Sequence, residues 1–182
     1  KYLASKGSDE TNACFLQAQM KYAQGLFAET VTAANSCIAS TPNPYPNLYG
    51  LVAYSSYKLG DSLGAKNAFE QYFQKQKPDK IGVRDRFTYG EVLLKFPGSE
   101  ALAGTYIQQA VDQDSTEAGK VALLKSVASK KEKRGQYTEA GDWYKKVLNI
   151  KKTPTKNEIY NAGYSYFRIG KFAQASEVFD IY

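Results

Sequence analysis

Four glycines set the pitch of this 182-residue chain. Gly25, Gly60, Gly135 and Gly170 each close one helix-like run and open another, and they stand 35, 75 and 35 residues apart. The 75-residue gap holds one longer copy of the pattern, Tyr89-Gly90-Glu91-Val92-Leu93-Leu94-Lys95-Phe96-Pro97-Gly98, so the chain carries five units. A fixed period of this length constrains the fold more than any local propensity does. A unit so short cannot bury its own apolar face and must stack on its neighbours.

Each unit reads as two helices. Before the turn glycine, apolar or small residues recur at i, i+3, i+4 and i+7, as in Ile159, Ala162, Gly163 and Tyr166. After it comes a small–large–large series, Ala175, Phe179 and Tyr182. Glycine between the helices suits a position with left-handed backbone, where a residue without Cβ is least strained. The second helices end near Pro42, Pro78 and Pro154. Small residues recur where two helix backbones must approach, and aromatics recur where the next hairpin must be covered. The expected class is all-α.

The residues resemble the tetratricopeptide repeat. The last unit matches best, with Ile159, Ala162, Gly163, Tyr166, Gly170, Phe172, Ala175 and Phe179. The second offers Tyr49, Val52, Ala53, Gly60, Ala65, Phe69 and Tyr72, and the fourth Leu124, Val127, Ala128, Gly135, Tyr137, Ala140, Tyr144 and Val147. The first departs with Thr30 where alanine is usual, and the third carries an extra residue at Phe96-Pro97-Gly98. The resemblance implies a single solenoid domain over residues 1–182, an α-α superhelix of antiparallel hairpins. Its units fall near 11–44, 45–79, 82–117, 120–154 and 155–182, the last truncated, so a longer natural protein is expected. The irregular third unit is the expected weak point. HEAT and armadillo units, at about 40–47 residues, are too long for this beat. Pentatricopeptide repeats share the spacing, but their base-reading position would hold Phe15, Gly50, Phe87, Lys125 and Tyr160, which is no base code.

In the tetratricopeptide family the first helices of successive units line a ligand groove. Carried over position by position, that groove holds Phe15 and Tyr22, then Tyr54, Tyr57 and Lys58, then Phe87 and Lys95, then Lys125, and last Tyr160, Tyr164, Phe167 and Arg168. Packing does not demand aromatic or basic residues there, and tyrosine and arginine dominate binding hot spots. The clamp that such grooves use for an acidic chaperone tail is missing its Lys and Asn residues. The resemblance therefore implies a non-catalytic scaffold for a protein or peptide, with acidic character as one option. The alternative is an architectural spacer that self-associates through exposed ends.

Composition excludes several chemistries. The chain has no histidine, which removes histidine-based triads and the commonest general base. Two cysteines cannot close a four-cysteine zinc site. No phosphate-cradling glycine loop is present, and the Asp9-Glu10 and Asp112/Asp114/Glu117 groups suggest no cleft, so no enzyme, cofactor or small-molecule substrate is expected. The net charge of +6 is local, with eleven Lys/Arg against three acids over residues 120–156. That stretch reads first as a solvated helix face and second as a landing site for an acidic partner. Nucleic acid is disfavoured, and membrane contact is not indicated. Cys14 and Cys37 face each other across a hairpin turning near Gly25, either as a disulfide or as buried thiols. The tyrosine-rich wording around Tyr164 tilts the reading slightly towards a bacterial envelope or periplasm.

Overall fold

The computed structural model describes residues 2–181, with side chains from Ala13 onward. Asp9 and Glu10, as side chains, and Tyr182 lie outside the described residues. The described chain forms α1 (Tyr2–Ala23), α2 (Phe27–Ser40), α3 (Pro46–Leu59), α4 (Ser62–Lys75), a 3₁₀ turn (Pro78–Lys80), α5 (Val83–Leu93), α6 (Glu100–Gln113), α7 (Glu117–Lys133), α8 (Tyr137–Ile150), α9 (Lys156–Phe167) and α10 (Phe172–Phe179), with no strand among the described residues. The chain is all-α. It parts into two compact units, Lys1–Gly104 and Thr105–Tyr182, with the boundary inside α6.

The beat read from glycines becomes backbone geometry. Gly25, Gly60, Gly135 and Gly170 have φ of 78°, 81°, 75° and 75°, a region costly for any residue with a Cβ. In the third repeat the left-handed residue is Gly98, at φ 84°. Gly90 is instead buried inside α5. The Phe96-Pro97-Gly98 extension thus moves the turn later rather than adding a second one.

In the first unit α1–α2 and α3–α4 are antiparallel hairpins. Ala18, Ala34, Ala53 and Ala65 are fully buried where helix backbones meet. Phe69 is also fully buried. Its ring lies 5.3 Å from Tyr54 and 5.5 Å from Tyr89 of α5. Burying a ring of that size removes enough apolar surface to stabilise the fold by roughly 2–3 kcal/mol. Cys14 of α1 and Cys37 of α2 are joined as a disulfide, with Cα atoms 6.0 Å apart.

In the second unit Ala128, Ala140, Tyr144, Leu148, Ile159, Ala162, Tyr166, Ala175 and Val178 form one core, and Val111, Val121, Leu124 and Val147 another. Trp143, half-buried, packs against both. At Gly141 an added Cβ would lie only 2.9 Å from the Tyr166 ring. Glycine there lets α8 and α9 approach.

Two of the first helices begin in the same way. In α9, Thr155 and Glu158 form a capping box: Thr155 N–H donates to Glu158 Oε2 at 2.8 Å, and Glu158 N–H donates back to the Thr155 hydroxyl. In α5, Gly82 N–H donates to Asp85 Oδ2 at 2.7 Å. Each acid sits at the third residue of its helix, where the positive end of the helix dipole favours it.

Candidate functional site

Of the first-helix residues in unit 1, most are already engaged. The Tyr54 hydroxyl donates to Asp85 Oδ1 at 2.6 Å, and the Tyr72 hydroxyl to Oδ2 at 3.4 Å. Burial, reinforced by that acceptor, pushes the Tyr54 hydroxyl well above its ordinary pKa of 10. The Arg84 guanidinium lies 4.6 Å from the centre of the Tyr54 ring and donates to the Tyr22 hydroxyl at 3.2 Å. Tyr57 donates to Glu91 at 2.8 Å, and burial followed by that bond raises it to about 12. Lys95 stands 5.6 Å from the Tyr57 ring centre and donates to the Ser62 hydroxyl at 3.0 Å. Phe15 stacks on Tyr45 at 5.6 Å. Phe87 is half-buried and Lys58 is exposed.

These contacts turn expected ligand residues into ties between neighbouring hairpins. Sequence reasoning named the tyrosines but missed Asp85 and its partnership with them. The signal was available: an acid 31 residues after Tyr54 falls on the facing turn of the next repeat.

In unit 2 the same junction is ionic. Glu158 accepts from Lys125 at 2.6 Å and from Lys151 at 3.0 Å, with its side chain only 4% exposed. Burial alone would raise the Glu158 carboxyl. The hydrogen bonds from Lys125, the Thr155 backbone and Lys151 outweigh it and hold the group down at about 2. Lys125 thus also joins one repeat to the next. The Thr155-x-x-Glu158 signature marks such a cap in sequence and could have revealed this residue.

The basic stretch is partly spent within the molecule. Besides Lys125 and Lys151, Lys145 pairs with Glu177 at 2.7 Å, and Lys146 lies 4.2 Å from the centre of the Trp143 ring. Lys131 is buried. Asp114 accepts the backbone N–H and the hydroxyl of Thr116, each at 2.9 Å, which lowers its pKa and fixes the turn before α7.

Apart from Lys58, what remains available is on α9 and in the turn that follows it. Tyr160 and Tyr164 stack with ring centres 5.2 Å apart and planes 11° apart, and Tyr164 and Phe167 follow at 6.4 Å and 18°. Phe172 meets Phe167 edge-on at 5.4 Å. Arg168 lies 4.2 Å from the Tyr137 ring centre and 5.9 Å from that of Tyr164. All four aromatics are exposed. Tyr160, Tyr164, Phe167 and Phe172 thus form a continuous row of exposed rings. Among the described residues no cluster of three or more Cys, Asp or Glu could hold a metal ion, and no helix is long and apolar enough to cross a membrane.

The fold is shared with solved repeat proteins. The C-terminal part of a TPR repeat-containing protein from Cytophaga hutchinsonii superposes with a TM-score of 0.67 at 26% identity, covering 92% of this chain and 62% of that one. The chain is a tetratricopeptide-repeat solenoid. MamA superposes equally well, at TM-score 0.67 and 15% identity, with 96% of this chain and 90% of that one covered. YrrB, described as a TPR protein with an unusual peptide-binding site, gives 0.61 at 18% identity, with 90% and 80% covered. This TPR chain spans about three-fifths of the Cytophaga structure. No protein-family model and no curated protein matches it.

Proposed function

We propose that this chain is a non-catalytic interaction scaffold that captures a peptide or a partner protein on the aromatic and basic face of α9. The carrying observation is the exposed row Tyr160, Tyr164 and Phe167 with Arg168 beside it. Likeness to TPR solenoids supports a protein-interaction role in general, and YrrB shows that a chain of this fold can present a peptide-binding site. Aromatic rings supply large contact area at small cost in side-chain entropy, and arginine adds a directional charge. The residues tied up in unit 1 hold its own hairpins together rather than offering contacts.

The test is selection from a displayed peptide library on the immobilised chain, with Tyr160→Ser/Tyr164→Ser/Phe167→Ser as counter-bait. Sequences enriched on the parent and lost on the variant support the reading. Equal enrichment on both would remove it. A second reading, self-association through the edges, has its own observation in Leu16 and Met20, both exposed on α1. Concentration-dependent sedimentation that is lost on Met20→Ser would favour it.

A further inference from the structure

A cleft of about 180 Å³ opens in the second unit between α6, α7 and α8. Gln108 and Val111 line it from α6, Leu124 from α7, and Lys146, Asn149 and Ile150 from α8. The sequence accounts for the space. At an offset of 38 residues Phe69, Tyr72, Phe73 and Tyr89 become Ile107, Ala110, Val111 and Val127. In the second repeat those rings close the junction, with Tyr89 5.5 Å from Phe69 and 5.2 Å from Phe73, and Phe73 5.9 Å from Tyr72. One repeat later every ring is an aliphatic side chain or a methyl, and packed helices follow such a loss of volume only in part. Val111 and Leu124 are buried at its floor, while Lys146 and Asn149 are exposed at its mouth. Lys146 Nζ reaches from α8 to α6, donating to Gln108 Oε1 at 3.3 Å and lying 4.2 Å from the centre of the Trp143 ring. The Gln108 amide nitrogen donates to Asp112 Oδ1 at 2.9 Å, which turns its carbonyl oxygen to Lys146.

We infer that this cleft binds the C-terminal residue of a partner polypeptide, a leucine or phenylalanine whose side chain enters between Val111, Leu124 and Ile150 and whose α-carboxylate takes Lys146 from Gln108. An apolar space of about 150 Å³ is enough for a benzene-sized group, so the cleft admits one such side chain. The mouth supplies the charge. An ammonium bonds a carboxylate about twice as strongly as it bonds a neutral amide oxygen, and Gln108 offers Lys146 only the latter. The surroundings favour the same sign: residues 120–156 hold eleven Lys/Arg against three acids, and two of those acids, Glu132 and Asp142, already take tyrosine hydroxyls. A terminal residue carries its side chain and its carboxylate on one α-carbon, which suits a cleft one side chain deep with a single ammonium at its edge. The site is separate from the aromatic row of α9 and does not depend on it.

The probe is the peptide Gly-Ser-Gly-Ser-Gly-Phe with a free C-terminal carboxylate, labelled with fluorescein at its N-terminus and titrated with the whole 182-residue chain by anisotropy. Saturable binding is expected, and the unlabelled peptide should shift the emission of Trp143, the single tryptophan, as Lys146 leaves its ring. The C-terminal amide of the peptide should bind about tenfold more weakly. Lys146→Gln should cost the acid peptide as much, and the two changes together no more than either alone, because both remove one charged bond. Val111→Phe, which restores the ring of the second repeat, should abolish binding, with circular dichroism confirming that the variant is folded. Lys146→Gln lies at the exposed mouth and decides the matter if that variant does not fold. Absence of saturable binding overturns the inference, as does equal binding of acid and amide or binding kept by a folded Val111→Phe. Loss of this peptide on Tyr160→Ser/Tyr164→Ser/Phe167→Ser with Lys146→Gln silent would move it to α9 and refute the cleft while leaving the scaffold standing. 3-Phenylpropanoate binding more tightly than the peptide would assign the cleft to a small acid and likewise refute it.

Discussion

Replacing Glu158 by glutamine tests the junction between the last two hairpins directly. Glu158 is nearly fully buried, with Lys125 and Lys151 on its two oxygens and the Thr155 N–H completing the cap. Its carboxyl is held at about 2 against an ordinary 4.5. A difference of that size corresponds to on the order of 3 kcal/mol in favour of the folded state. Lys125 is 42% exposed and keeps part of its hydration, which brings the expected figure to about 2–3 kcal/mol. The sign follows from the depression. The unfolded chain binds the proton more readily, so the stabilisation is complete above pH 4.5 and disappears as pH falls towards 2. Glu158→Gln keeps the shape and an acceptor for Thr155 but offers the lysines no charge. Urea unfolding followed through Trp143, the single tryptophan, reads this unit alone. At pH 7 the variant should be less stable by about 2–3 kcal/mol, and the gap should close between pH 4.5 and 2. A gap that is absent at pH 7, or that stays constant down to pH 3, refutes the reasoning.

Four further outcomes are expected. Gly141→Ala should destabilise the second unit by about 1–2 kcal/mol in thermal or urea unfolding, because its Cβ meets a Tyr166 ring fixed by a 2.6 Å bond to Asp142. Gly50→Ala, where the nearest ring atoms of Tyr72 are 3.4 Å away, should instead be neutral or stabilising by up to about 1 kcal/mol from helix propensity. Cys37→Ser should lower the protection of α1 and α2 in hydrogen exchange by about 3 kcal/mol, from the loop of 23 residues that the bond closes. Tyr54→Phe should cost about 1–3 kcal/mol in unit 1, since Asp85 loses a buried donor, and unchanged urea unfolding would remove that tie from the account.

The helices, their pairing and four of the five turn glycines were legible because they are local: periodicity, small residues and glycine all act within one repeat. The fifth turn was left open by sequence alone, since the stretch from Tyr89 to Gly98 holds two glycines and only the structure shows Gly90 buried in α5 and Gly98 at the turn. The candidate site divided for a different reason. Tyr54 and Tyr164 are the same residue in the same register, yet one holds an acid of the next repeat and the other is 36% exposed. Repeat position specifies what a side chain can touch; whether it is covered depends on the neighbouring hairpin. Asp85 and Glu158 escaped notice because a first-turn acid reads as an ordinary cap until the preceding hairpin is placed beside it.

That shared acid also bears on how the array assembles. Starting a helix fixes several residues for a single first hydrogen bond, and short helices depend on packing to persist. At α5 and α9 one carboxylate closes the first turn and grips the previous hairpin with the same pair of oxygens. Helix start and docking contact thus share one side chain. At these two junctions the preceding hairpin supplies the partners of the capping acid and so fixes the register of the helix that follows.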